Sequence, residues 1–287
     1  MTDLFTFGHG YSAAEVVRRG GFSAVVGTVR TQEKAAALEA RGVAARVFGP
    51  DGADPRIGDD LARATHLLLS IPPRAGVDPA LVAFGEAIAA APRLASIVYL
   101  STIGVYGDAQ GGWVDEDTPT APKHGRAEDR LAAEEAWCAL GTRAGKRVCV
   151  LRLGGIYGPG RNPIVQLRAG TARRIVKPGQ VFNRIHVADI AQAVLAAFAR
   201  GRPGGVYNVV DDLPTPPQDV VAHAAELAGL VPPPEVPFEE AELSPMGRSF
   251  WSTSKRVSNR RLREELGVDL LYPTYREGLA ALLGDAA

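Results

Sequence analysis

The chain has 287 residues, 46% of them hydrophobic, which is enough for one large α/β domain with a sizeable core. Its 32 Lys and Arg balance 32 Asp and Glu, so no global field draws it to nucleic acid or to an anionic membrane, and any anion site has to be local. Cys138 and Cys149 have no metal-ligand spacing, the N-terminus lacks a basic stretch with a long apolar core, and no apolar run is long enough to span a membrane; these features predict a cytoplasmic protein with buried thiols and no metal centre.

The first apolar run, "LFTF", ends in "FGHGYSA", a G-x-G-x-x-A pattern made by Gly8, Gly10 and Ala13 and followed by the helical stretch "AAEVVRRG". A lone G-x-G marks only a glycine turn. After a first strand and before a helix it becomes a phosphate cradle: Gly8 allows the tight turn, Gly10 admits the pyrophosphate, and small Ala13 lets the helix pack with its N-terminus on the anion. The second strand, "SAVVGTV", ends without the carboxylate that holds the ribose 2′-hydroxyl of NAD. Thr28, Arg30 and Lys34 stand there instead, and a guanidinium at Arg30 suits the 2′-phosphate of NADP. The alternative is that Arg30 and Lys34 only solubilise a helix start.

Further strands, "AARVF", "THLLLSI", "ASIVYLS" and "KRVCVLRL", alternate with helical stretches such as "TQEKAAALEARG" and "DPALVAFGEAIAAA". Such alternation predicts a doubly wound Rossmann α/β fold of about seven parallel strands, covered on both faces. Beyond residue 155 the pattern turns irregular. The expected division is residues 1–155 as the nucleotide-binding domain, with 181–210 returning to it through "FNRIHVADIAQAV", and 156–287 as mainly a smaller substrate-side lobe. The Pro-rich stretch 231–240 reads as an ordered surface connection.

Taken in order, "FGHGYSA", "YLSTIGVYGD", "WVDEDTPTAP", "RLAAEEAW", "LRLGGIYGPGRNP", "RIHVADIAQAV", "YNVVDD" and "SKRVSNRRLREELG" resemble the extended short-chain dehydrogenases/reductases, the branch holding NAD-dependent epimerases and dehydratases. The resemblance makes Thr102 the hydroxyl that orients a substrate oxygen. Where the family carries a proton-donating Tyr and, one helical turn on, a Lys, this chain offers Arg126 and Arg130 when aligned on Glu134. A guanidinium with a pKa above about 12 cannot cycle a proton near neutrality. Arg126 and Arg130 lie on one helical face, where Arg130 either donates to a ribose or phosphate or, with Arg126, simply pairs with Glu128, Asp129, Glu134 and Glu135.

This pattern resembles the atypical short-chain dehydrogenases. It implies an NADP-binding oxidoreductase, with NAD the less favoured cofactor, or alternatively a non-catalytic NADP sensor. Gly8, Gly10, Tyr11, Ser12 and Arg30 would hold the cofactor, with Ser70, Pro72, Thr102 and Arg130 beside it. Tyr106 is the candidate substitute acid, or else a residue that lines the site; Tyr157 has the same two readings. His186 and Asp189 invite a metal assignment, but Asp189 reads better as a helix N-cap. Arg161, Arg173, Arg174 and Lys177 would suit an anionic small-molecule substrate, a nucleotide sugar or another carbonyl or hydroxyl compound. Charge on the outer face of "RAEDRLAAEEAWCALG" predicts a monomer or a weak homodimer.

Overall fold

A computed structural model describes residues 2–123 and 125–284. The chain opens with β1 (Asp3–Phe7), α1 (Tyr11–Gly20), β2 (Ala24–Val29), α2 (Gln32–Glu39), β3 (Ala44–Gly49), β4 (Gly52–Ala53), α3 (Ile57–Arg63), β5 (His66–Leu69), α4 (Pro79–Ala90) and β6 (Ser96–Thr102). A 3₁₀ turn (Ile103–Tyr106) and β7 (Trp113–Val114) lead to α5 (Gly125–Ala144) and β8 (Arg147–Leu153). The second half holds β9 (Gly155–Tyr157), α6 (Pro163–Arg168), β10 (Arg174–Val176), β11 (Arg184–His186), α7 (Val187–Arg200), β12 (Gly205–Val209) and α8 (Pro217–Leu227). It closes with β13 (Glu235–Pro237), α9 (Pro245–Phe250), β14 (Arg256–Val257), α10 (Arg260–Leu266) and α11 (Tyr275–Gly284).

The central sheet runs β12-β8-β6-β5-β1-β2-β3-β4, parallel throughout except for the antiparallel edge pair β3–β4. It is the expected doubly wound Rossmann sheet. From β1 the chain winds one way to β2 and β3, then crosses back to β5, β6 and β8, so the switch point lies between the ends of β1 and β5. Burial on both faces explains the unbroken apolar runs. Leu4, Leu68, Val98 and Leu151 pack beneath Val16 of α1 and Ile190, Val194 and Phe198 of α7. Phe5, Phe7, Leu67, Ile97 and Tyr99 pack beneath Trp137 and Leu140 of α5.

Helix starts differ in a way that bears on function. Thr31 caps α2, Asp78 accepts from Ala80 and Leu81 at the start of α4, and Asn162 caps α6. The N-cap of α1 is Gly10, which brings no capping side chain.

The second half returns to the core within residues 187–209. Residues 184–186 pair with β9 in a separate two-stranded sheet, while the main sheet is rejoined by β12 beside β8, with α7 packed on α1. The Pro-rich segment contains β13, paired with β10. Cys149 is buried but Cys138 only half-buried, and burial raises both thiol pKa values, that of Cys149 to about 11. Among the described residues no helix is long and apolar enough to cross a membrane, and no group of three His, Cys, Asp or Glu could hold a metal.

Candidate cofactor and active site

The turn after β1 is fixed by its glycines and by β2. Gly8 has φ +89°, and a Cβ there would sit 2.7 Å from Ile71 Cγ2, so the loop after β5 closes against it. The Gly8 amide donates to Thr28 Oγ1 and the His9 amide to Thr28 O, both at 2.8 Å. Thr28 is thereby committed to holding the turn rather than facing a ligand. His9 covers Gly27 and places Nδ1 3.2 Å from Thr6 Oγ1; burial lowers its pKa.

At Gly10 the space is open, with no atom within 4 Å of where a Cβ would stand. The amides of Tyr11, Ser12 and Ala13 find no acceptor among the described residues, and they point out of the uncapped N-terminus of α1. An open glycine and unfilled amides on a positive helix end fit a pyrophosphate. Tyr11 Oη donates to Pro159 O at 3.0 Å. Arg30 follows β2, is exposed, and makes no hydrogen bond or ion pair to a described residue; Lys34 is also exposed. Ser70 donates its amide to Phe7 O at 2.9 Å, which brings Ser70 and Pro72 to the rim of the switch point.

Thr102 ends β6 half-buried, and its Oγ1 accepts from the Gly104 amide at 3.1 Å. The hydroxyl hydrogen is left to donate.

Tyr106 does not sit as a poised acid. It is 3% exposed, its hydroxyl donates to Asn208 Oδ1 at 2.8 Å, and Arg152 lies 4.9 Å over its ring. Burial raises its pKa, with Arg152 opposing, whereas a substitute acid needs the pKa lowered. Tyr157 is likewise buried, with its hydroxyl 3.4 Å from Thr274 O, and burial drives its pKa far up.

Arg126 is exposed, in the first turn of α5. Arg130 turns inward instead: Nη1 donates to Leu100 O at 2.6 Å and to Tyr99 Oη at 3.2 Å. Neither Arg126 nor Arg130 pairs with the acidic residues of its own helix. Asp129 instead accepts from the Gly76 amide, and Glu134 forms a buried pair with Arg152 at 2.8 Å while accepting from Ser101.

Of the basic residues in the second half, Arg173 donates to Glu242 O, Arg174 pairs with Glu235, and Lys177 donates to Trp251 O. They serve the lobe's own structure. His186, not Asp189, is the N-cap of α7, because its Nδ1 accepts from the Ala188 amide at 3.1 Å. Asp189 instead accepts from the Leu271 and Tyr272 amides and anchors the chain leading to α11. A residue the sequence reading missed is Lys255, buried with Nζ on Thr253 Oγ1 at 3.2 Å, its pKa pushed down to about 8 by burial. No local pattern marks it, since the charges that act on it, Asp108 and Lys123, lie far along the chain.

A strand, glycine turn and open helix end at the switch point of a doubly wound sheet define a Rossmann protein with a dinucleotide-type cradle. Residues 82–210 match the model of the NAD dependent epimerase/dehydratase family. The chain is 32% identical to Protein YeeZ of Escherichia coli K12 over 222 residues, 75% of this chain and 74% of that protein. It is 28% identical to the dTDP-D-glucose 4,6-dehydratase of Homo sapiens over 147 residues, 48% of this chain and 41% of that one. The solved structure of a functionally unknown conserved protein from Silicibacter pomeroyi superposes with a TM-score of 0.88 at 48% identity, covering 100% of this chain and 99% of that one. The dTDP-glucose 4,6-dehydratase of Bacillus anthracis, solved with NAD, superposes with a TM-score of 0.76 at 17% identity over 99% and 96% of the two chains, a likeness of fold. The chain belongs to the NAD dependent epimerase/dehydratase family.

Proposed function

We propose that the protein is an NADP-binding oxidoreductase of the atypical short-chain kind, acting on a carbonyl or hydroxyl group of a small molecule, with anionic compounds such as nucleotide sugars as the substrate class. The observation that carries this reading is the open cradle at Gly10, with the unpaired Arg30 standing where a NAD-selective site has a carboxylate. Gly8, Gly10, Tyr11 and Ser12 hold the pyrophosphate, Arg30 the 2′-phosphate, and Ser70 and Pro72 flank the dinucleotide. The bound cofactor supplies or accepts a hydride. Thr102 donates its hydroxyl to the substrate oxygen and orients it. We expect a cytoplasmic location and a monomer or weak homodimer, since the outer face of α5 carries exposed charges and an exposed Arg143–Glu86 pair at 3.7 Å links it to α4.

NADPH is expected to bind at least about tenfold tighter than NADH, the scale of one charge-assisted pair, and Arg30→Ala to erase the difference. Calorimetric titration of both nucleotides decides it. Equal affinities in the parent protein would remove Arg30 from the site.

Proton transfer in this reading runs through water at Thr102, because Tyr106 is bonded to Asn208 and Arg130 to β6. Tyr106→Phe should therefore cost about 1–3 kcal/mol of stability by orphaning Asn208 Oδ1. Turnover in Tyr106→Phe and in Arg126→Lys should stay within about tenfold, since general acid catalysis is worth a hundredfold or more. The readouts are denaturant titration and NADPH oxidation across carbonyl and nucleotide-sugar substrates. A hundredfold fall in either variant with the fold intact would return that residue to the chemistry. Tight NADPH binding without turnover on any of these substrates would instead favour a non-catalytic NADP sensor.

A further inference from the structure

We propose that Arg161 is a pyrophosphate clamp: carried on a rigid turn of the second half of the chain, it closes over the phosphates held at the first turn of α1. The inference rests on the dinucleotide reading above and adds to it a residue from outside the glycine-rich turn.

The turn is held from three sides. Gly158 and Arg161 exchange both backbone hydrogen bonds at 3.0 Å. Tyr11 Oη donates to Pro159 O, and buried Asn162 donates Nδ2 to Gly158 O at 2.9 Å while its Oδ1 caps α6. Gly158 takes φ +156°, and a Cβ there would lie 2.5 Å from Tyr11 Oη and 2.8 Å from Val187 Cγ1, so the turn is seated directly on the first residue of α1. Substitution at Gly158 would lift it off.

On this fixed turn the Arg161 side chain is exposed and makes no hydrogen bond or ion pair to a described residue. It differs in this from Arg173, Arg174 and Lys177 of the same half. Its charge is felt at the first residue of α1: the Tyr11 phenol pKa is raised by burial, and Arg161 is the principal influence opposing that rise. The turn that carries this cation is therefore tied to Tyr11, the first residue of the helix whose first three amides have no acceptor among the described residues. A helix end carries only about half a positive charge. A guanidinium adds a full charge and a bidentate fork matched to phosphate oxygens.

The test compares ligands with and without a pyrophosphate. In Arg161→Ala, NADPH and NADH should weaken by the same factor, about tenfold or more, while adenosine 2′-monophosphate, followed by NMR titration, binds as before. Arg30→Ala should give the complementary pattern, weakening NADPH and adenosine 2′-monophosphate but not NADH. Tyr11→Phe, which removes the tie to Pro159, should weaken both dinucleotides by a smaller factor. Because Arg161 is exposed, its replacement should leave the unfolding midpoint unmoved, which separates loss of the clamp from loss of fold. Unchanged dinucleotide affinity in Arg161→Ala, or an equal loss for adenosine 2′-monophosphate, overturns the clamp. Failure of the parent protein to bind either dinucleotide overturns the reading beneath it instead.

Discussion

Replacing Glu134 by alanine is expected to remove about 3–5 kcal/mol of folding stability, the scale for breaking one side of a buried ion pair. Glu134 and Arg152 are 5% and 7% exposed, and Arg152 approaches both carboxylate oxygens, through Nη2 at 2.8 Å and Nε at 3.2 and 3.3 Å. Ser101 completes the carboxylate's shell, and the Tyr106 ring lies against the guanidinium. Removing Glu134 strands a buried cation between α5 and the β6–β8 pair. The double replacement Glu134→Leu with Arg152→Met should recover most of the loss, because apolar groups of similar size avoid the desolvation that the pair has to offset. Guanidinium titration of the parent and the two variants gives both numbers. A loss below 1 kcal/mol in Glu134→Ala would mean that water reaches Arg152 and that the pair is not sealed. Ser101 adjoins Thr102, so this pair also fixes the strand end that presents the candidate catalytic hydroxyl.

A pH effect of similar size is expected at Asp211. Its carboxyl is 1% exposed, Oδ1 accepts from the Leu213 amide at 3.3 Å, and Oδ2 has no hydrogen-bond partner among the described residues. Burial lifts its pKa to about 7; the charge of Arg184 opposes the rise, and those of Asp212 and Asp189 add to it. In the unfolded chain the value is near 3.9. The folded state thus holds this proton while the unfolded state has lost it, so stability falls as pH rises from about 4 to about 7 and then levels off. Three units correspond to roughly 4 kcal/mol. Asp211→Asn should therefore be more stable than the parent at pH 8, with the advantage shrinking towards pH 4. Thermal unfolding at the two pH values measures it. An advantage independent of pH would show that the carboxyl is already ionised in the fold.

Much of the molecule is legible along the chain. The strand-length apolar runs give the central sheet, because strands buried on both faces need no polar alternation. The glycine turn is legible because φ +89° and the approach of Ile71 leave Gly8 no substitute, and because Gly10 brings no capping side chain to the helix it starts. Apart from the approach of Ile71 from the loop after β5, these are local properties, set by neighbours within a few residues.

Partners are a different matter, because sequence spacing does not say which strand lies beside which. Tyr106 looks like an acid at a strand end until β12, brought beside β8, places Asn208 against its hydroxyl from 102 residues away. Arg130 sits one turn from Arg126 on the same helix, yet packing of α5 on β6 turns it to Leu100 O and leaves Arg126 exposed. His186 takes the cap that Asp189 seemed suited to, because the segment before α11 brings the Leu271 and Tyr272 amides to the Asp189 carboxylate. The sequence by itself determined the sheet, the cradle and the charge at Arg30. Tertiary structure alone decided which polar side chains are spent on the fold and which stay open to a ligand, because each buried polar group must find a partner and the topology sets which partners come within reach.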